Sequence, residues 1–273
     1  MLHIPNHPLL DKKLQYEPLV VAYLRDADNT RTIPPSLQQE VLTKLDAQID
    51  NETFYYVIDV RKDEISHCNG INKWLGYPEL DFTRKKFKSL IHPSFTFLLG
   101  IYVKALFAYF QNKATTFQFG YPVCAILLAI KDSSGQYQYC KGKCYPFQLS
   151  GQGHITEYIV VANIVKQLSN EDYCFMLFCD NGKRNEFEEI IKQDIQETFK
   201  KGEYFSFQEY RILKKYAQDP TTTSEAIAKT FKIEKATIGT YNTRILKKAE
   251  ALFNQRFDNA KKVAEFLKRV NLI

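Results

Sequence analysis

At 273 residues, with 45% hydrophobic and 25% charged residues, the chain has a globular composition and enough length for two domains. Its apolar runs stop short of the roughly 20 residues a membrane helix needs. The start MLHIPNHPLLDKK lacks the basic region and long apolar stretch of a secretory signal, so the expected setting is cytoplasmic, with no membrane partner. Six unevenly spaced cysteines read as reduced thiols, not a disulfide framework. The net charge of +6 is lopsided, because residues 200–273 hold 16 Lys/Arg against 8 Asp/Glu and so carry the whole positive excess. Such asymmetry fits a polyanion-binding module joined to a neutral one, or a solvated basic helical domain.

In chain order, residues 1–50 read as an N-terminal helical arm. Pro34, Pro35 and Ser36 introduce LQQEVLTKLDAQI, where Leu37, Val41, Leu45 and Ile49 recur every four residues, one stripe of an amphipathic helix with a packing role. Residues 51–184 alternate strand and helix signals. FYYVIDV (Phe54–Val60) reads as a strand, EISHCNG as a turn and second strand, and INKWLGY as a short helix. FTFLLGIYVKALFAYFQNK (Phe95–Lys113) is apolar nearly all round, as a helix covered by a sheet is. PVCAILLAIKD, QYQYCKGKCYPFQLS and HITEYIVVANIV read as three strands joined by hairpins at Ser133–Gly135 and Gly151–Gly153. YCFMLFCDNGKR leaves room for one added strand. The fold class is α+β: a five-stranded antiparallel sheet with helices on one face.

Several features in this order resemble a PAS sensor domain. They are Phe54–Asp59 as the opening strand, Asn69–Tyr77 ending Leu75-Gly76-Tyr77, Ile91-His92-Pro93 before the long helix, and Gly153-x-Ile155 opening a strand that reaches Ala162-Asn163-Ile164-Val165. The resemblance implies a sensing or dimerising module whose signal is a small molecule or a protein. Ser94-Phe95 stands where such domains usually carry an acidic residue, and Asn163-Ile164-Val165 where Asp-Ile-Thr is common.

No cofactor is expected. Cys68 lies in ISHCNGI and not in a flavin-reactive motif, and Phe95–Lys113 carries no His to ligate haem. His92 is expected to be structural, capping the following helix or lining a turn. Cys140 and Cys144 share a strand face about 13 Å apart, too far for one zinc ion unless the strand folds back at Lys141-Gly142-Lys143. Cys174 and Cys179 would face opposite sides. No nucleophile–base set, phosphate loop or helical His pair occurs; no catalytic or metal site is expected, and the chain does not read as an enzyme.

Residues 185–203 read as a linker helix. Phe187, Ile190, Ile191, Ile195 and Phe199 form one stripe that packs on its own domains or pairs with its twin; Asp194 and the short length favour packing. Residues 204–273 read as four helices. Ser206 with Glu209 makes a capping box for the first, Asp219-Pro220 ends it, and Thr223 or Ser224 caps SEAIAKTF. The third is KATIGTYNTRILKKAEALF and the fourth DNAKKVAEFLKRV.

At 100° per residue, Tyr241, Ile245, Ala249 and Leu252 share a core stripe with Ile238. The opposite arc holds Ala236, Gly239, Thr240, Thr243, Arg244 and Lys247, residues suited to close approach and base-edge contact. Lys235, Lys248, Arg211, Lys214 and Lys215 fall where phosphates would pass. With the short helix and turn before it, this is a helix-turn-helix, and the candidate DNA-binding set is Lys235, Ala236, Thr237, Gly239, Thr240, Thr243, Arg244, Lys247 and Lys248.

Phe205-Ser206-x-x-Glu209-x-x-Ile212-Leu213, Ile227-Ala228-x-x-Phe231-x-Ile233, and Thr237-Ile238 followed by Ile245-x-x-Lys248 resemble the LuxR-type helix-turn-helix. The resemblance implies a transcriptional regulator that binds double-stranded DNA as a homodimer, with Asn259–Leu272 as the dimer contact. Gly239 replaces a common DNA-contacting Lys, and Tyr241 a common His. The rival expectation is a PAS-based interaction scaffold whose helical domain docks a protein partner.

Overall fold

β1 (Thr53–Asp59) carries the unbroken apolar run Phe54–Ile58 and is buried from Thr53 to Ile58, and such a strand needs cover on both faces. The computed structural model describes residues 21, 23–25, 27–49, 53–112, 117–169, 175–178 and 184–273; Lys113, Cys174 and Cys179 lie outside them. Two compact units separate between Glu188 and Glu189.

The first unit is built on an antiparallel sheet. With β2 (Glu64–Asn69), β3 (Cys124–Lys131), β4 (Tyr137–Leu149), β5 (Ile155–Gln167) and β6 (Phe175–Phe178), the order is β2-β1-β5-β4-β3-β6. The sheet therefore has six strands, where five were expected. β6 pairs with Cys124–Leu127, and its four residues satisfy backbone groups that β3 would otherwise leave unpaired at the edge.

A second correction concerns the helices, which cover both faces. α1 (Pro35–Asp46) lays Val41, Leu42, Leu45 and the following Ile49 on the face carrying Tyr55, Val57, Phe147 and Ile159. Leu37, expected in that stripe, is exposed. Tyr56 points the other way, since neighbouring strand residues alternate. Its ring meets Phe82 and Phe87 at 5.8 and 5.0 Å, the second of them on α3 (Arg84–Leu90). α2 (Ile71–Leu75) precedes that segment, and α4 (Pro93–Asn112) follows it with Phe95, Phe97, Leu98 and Ile101 buried.

The described part of the N-terminal arm is laced into this unit. The Tyr23 hydroxyl accepts from the Ile155 amide at 2.6 Å, and the Asp28 carboxylate accepts from Gly151 at 2.8 Å. Tyr55 donates to Asp46 Oδ1 at 2.6 Å, tying α1 to the sheet. His92 is structural: Nδ1 accepts from the Ser94 amide at 3.3 Å and the ring lies edge-on to Tyr137 at 4.5 Å. β4 runs unbroken through Lys141–Lys143, so Cys140 and Cys144 stay on one extended strand. Among the described residues no cluster of three metal-ligating side chains occurs, and no helix is long and apolar enough to cross a membrane.

α5 (Arg184–Lys200) contains the boundary between the units. Its last turns bury Ile195 and Phe199, the latter against Tyr204 and Phe205. Phe187, Ile190 and Ile191 fall outside the described side chains. The second unit continues with α6 (Phe207–Gln218), α7 (Ser224–Phe231), α8 (Lys235–Phe253) and α9 (Ala260–Arg269). Ser206 and Glu209 form the expected capping box, Thr223 caps α7, and Asn259 caps α9. α9 spends its apolar residues Val263, Ala264, Phe266 and Leu267 on the core and turns Lys262, Glu265, Lys268 and Arg269 outward. A contact between copies through α9 would thus be polar.

Candidate nucleic-acid interface

The turn between α7 and α8 is three residues long, Lys232–Glu234. Lys232 takes the left-handed conformation at φ 54°, and the Ile233 amide donates back to the Ala228 carbonyl at 3.0 Å. That backbone closure ends α7 and turns the chain into α8. A polar knot fixes the three helices together. Tyr216 of α6 meets Ser224 of α7 at 3.0 Å, and Asn242 of α8 donates to both, at 3.2 and 3.3 Å.

Ile238, Ile245, Ala249 and Leu252 are buried along one side of α8, and Tyr241 is half-buried. That anchorage leaves the opposite side to solvent. Lys235, Ala236, Gly239, Thr240, Thr243, Arg244 and Lys247 are all exposed there, and Thr237 is half-buried at its edge. Arg244 and Lys247 make no hydrogen bond or ion pair among the described residues. Lys235 reaches Glu225 at 3.2 Å, an exposed pair of little worth. A Cβ placed on Gly239 would meet nothing within 4 Å, so no neighbour in the fold requires a glycine there.

Lys248 behaves differently. Its ammonium lies 2.6 Å from Glu209 Oε2, a carboxylate whose side chain is 2% exposed. The same oxygen accepts from the Ser206 amide at 2.6 Å. Lys248 thus neutralises a buried acid and joins α8 to the start of α6. Arg211 also has a local duty: its guanidinium stacks 4.3 Å from the Phe231 ring and 5.7 Å from Phe207. Lys214 and Lys215 remain exposed.

Sequence reasoning missed the Glu209–Lys248 pair and the Asn242 knot. Their partners lie 39 and 26 residues apart, and no local spacing reveals such contacts. One signal was present for Lys248, which sits between Ile245 and Ala249 at the rim of the core stripe.

No protein-family model and no curated protein matches the chain by sequence. Among solved structures it is similar to a phage VqmA–DPO complex, with 11% identity over 87% of this chain and 91% of that one, and a TM-score of 0.29. It is similar also to SdiA in complex with octanoyl-rac-glycerol, with 13% identity over 98% and 97%, and a TM-score of 0.26. At such values neither likeness carries weight for fold or function.

Proposed function

We propose that the chain is a transcriptional regulator: α7 and α8 bind double-stranded DNA sequence-specifically, and the sheet unit is a PAS-like sensor for a small-molecule or protein signal. One observation carries the reading. α8 holds its fold with one side and offers the other to solvent, and on that side Arg244 and Lys247 make no hydrogen bond or ion pair among the described residues. An exposed helix face of small residues with unneutralised cations suits a major groove, where the helix must approach closely and the cations reach guanine or phosphate. The proposed contact set is Lys235, Ala236, Thr237, Gly239, Thr240, Thr243, Arg244 and Lys247; Lys248 is left to the fold. α5 couples the units, and two copies bind two half-sites as a homodimer.

Fluorescence anisotropy of labelled duplex DNA tests this. Binding should weaken steeply between about 50 and 200 mM salt, as counterion release requires, and Arg244→Ala with Lys247→Ala should abolish it. The scaffold reading draws on one observation, the 57% exposure of Phe207 beside the Arg211–Phe231 stack. Absence of DNA binding even at low salt would favour it.

A further inference from the structure

We propose that the N-terminal half of α8 reads thymine methyl groups, and that Thr240 and Thr243 do so through their own methyls and not through their hydroxyls. This rests on the DNA-binding reading above and specifies the sequence class that it takes.

Two independent features of the helix carry the inference. The first is the direction of the threonines. Thr240 Oγ1 donates to the Ala236 carbonyl at 3.3 Å, and Thr243 Oγ1 donates to the Gly239 carbonyl at 3.1 Å. Each hydroxyl therefore spends its proton on its own helix. Both side chains are exposed, and with its proton so engaged each offers a partner its methyl and an oxygen that can only accept. The second is the placement of charge: the row Ala236, Thr240, Thr243 itself carries none. Lys235 flanks its start with its ammonium 3.2 Å from Glu225, and Arg244 and Lys247, which make no hydrogen bond or ion pair among the described residues, lie at its C-terminal end.

Ala236, Thr240 and Thr243 follow one another along a single row of the helix, spanning about 10 Å at 1.5 Å per residue. That row presents three methyl groups over a length matching about three base pairs. A recognition helix enters the groove by its N-terminal residues, and the thymine methyl is the one apolar group a base pair shows there. Gly239, beside the row, adds no side chain and lets the backbone come close. A face with no hydroxyl proton to offer gains little from guanine or adenine acceptors. It gains from a methyl, because contact removes both surfaces from water.

The test begins with a duplex recovered by the full-length protein from a random pool. Each thymine is then replaced in turn by deoxyuridine, which removes only the methyl. Removing a contacted methyl should weaken binding about fourfold, the equivalent of one buried CH₂. Thr243→Ser keeps the hydroxyl and loses the methyl; it should weaken the thymine duplex by a similar factor and leave the deoxyuridine duplex unchanged. Thr243→Val keeps a methyl and loses the hydroxyl; it should bind within about twofold of the parent. Circular dichroism checks that both variants fold. If Thr243→Val abolishes binding while Thr243→Ser is neutral, the hydroxyl is the reader and the proposal is wrong. Binding that is indifferent to deoxyuridine at every position also overturns it, while leaving DNA recognition intact. Failure to recover any duplex overturns both.

Discussion

Lys247 and Lys248 are neighbours in sequence with opposite duties, and replacing each by alanine separates them. Lys248→Ala takes the ammonium from the Glu209 carboxylate, 2% exposed in the parent, and leaves it only the Ser206 amide as donor among the contacts described above. Stripping one partner from a buried ion pair costs about 3–5 kcal/mol. Here the estimate falls to about 2–3 kcal/mol, because Lys248 is 32% exposed and the pair is not fully dry. For a unit of this size that lowers the melting midpoint by roughly 8–24 °C. Lys247→Ala, which breaks no hydrogen bond or ion pair among the described residues, should change stability by less than about 0.5 kcal/mol. On DNA the order reverses: Lys247→Ala should reduce the salt slope by about one phosphate equivalent, and Lys248→Ala should leave it unchanged. Amide hydrogen exchange of peptides from α6 and α8 measures the first effect, and anisotropy at several salt concentrations the second. If Lys248→Ala is neutral for stability but flattens the salt slope, the assignment of Lys248 to the fold is refuted.

Three further outcomes are expected. Gly239→Ala should stabilise the helical unit by about 1 kcal/mol, the helix-propensity gain, because the new methyl meets nothing within 4 Å; a lower melting midpoint would contradict the open space around it. Gly70→Ala should destabilise the sheet unit by about 2 kcal/mol or more. Gly70 sits at φ 80°, and a Cβ would come 2.9 Å from the Thr53 carbonyl oxygen; Trp74 emission during urea unfolding reads the loss. Hydrogen bonds from the Thr221 and Thr222 hydroxyls and the Thr221 amide hold the Asp219 carboxyl down at about 2. A carboxyl depressed on folding contributes stability that is present above its ordinary value near 4 and is lost as pH falls towards 2. Carboxyl-carbon NMR should show that low midpoint, and one near 4 would disprove the turn.

Much of the architecture could be read because its signals are local. The bounds of α8 follow from Ile238, Ile245, Ala249 and Leu252 recurring at helical spacing, and Ser206 with Glu209 three residues on marks the start of α6. The hairpins at Ser133–Gly135 and Gly151–Gly153 carry their own turn chemistry. What escaped was set by distant partners. The absence of alternation in Phe54–Ile58 was itself a sign that both faces are covered, yet nothing local says that α1 supplies the second cover. YCFMLFCDNGKR leaves room for an added strand but does not fix one, because β6 is only four residues long and depends on the free edge of β3 for its existence. At the candidate interface the exposed row of α8 was legible from its angular position. The inward turn of Lys248 was not, since Glu209 lies in another helix and a lysine can snorkel out or reach in from the same backbone site.

The central claim is that the outward face of α8 lies in a major groove. Selection of DNA from a random pool, run in parallel with the parent chain and the Arg244→Ala, Lys247→Ala double variant, tests it most directly. The parent should enrich one motif and the variant none. A pool that stays random with the parent, or the same motif recovered by both proteins, would contradict it.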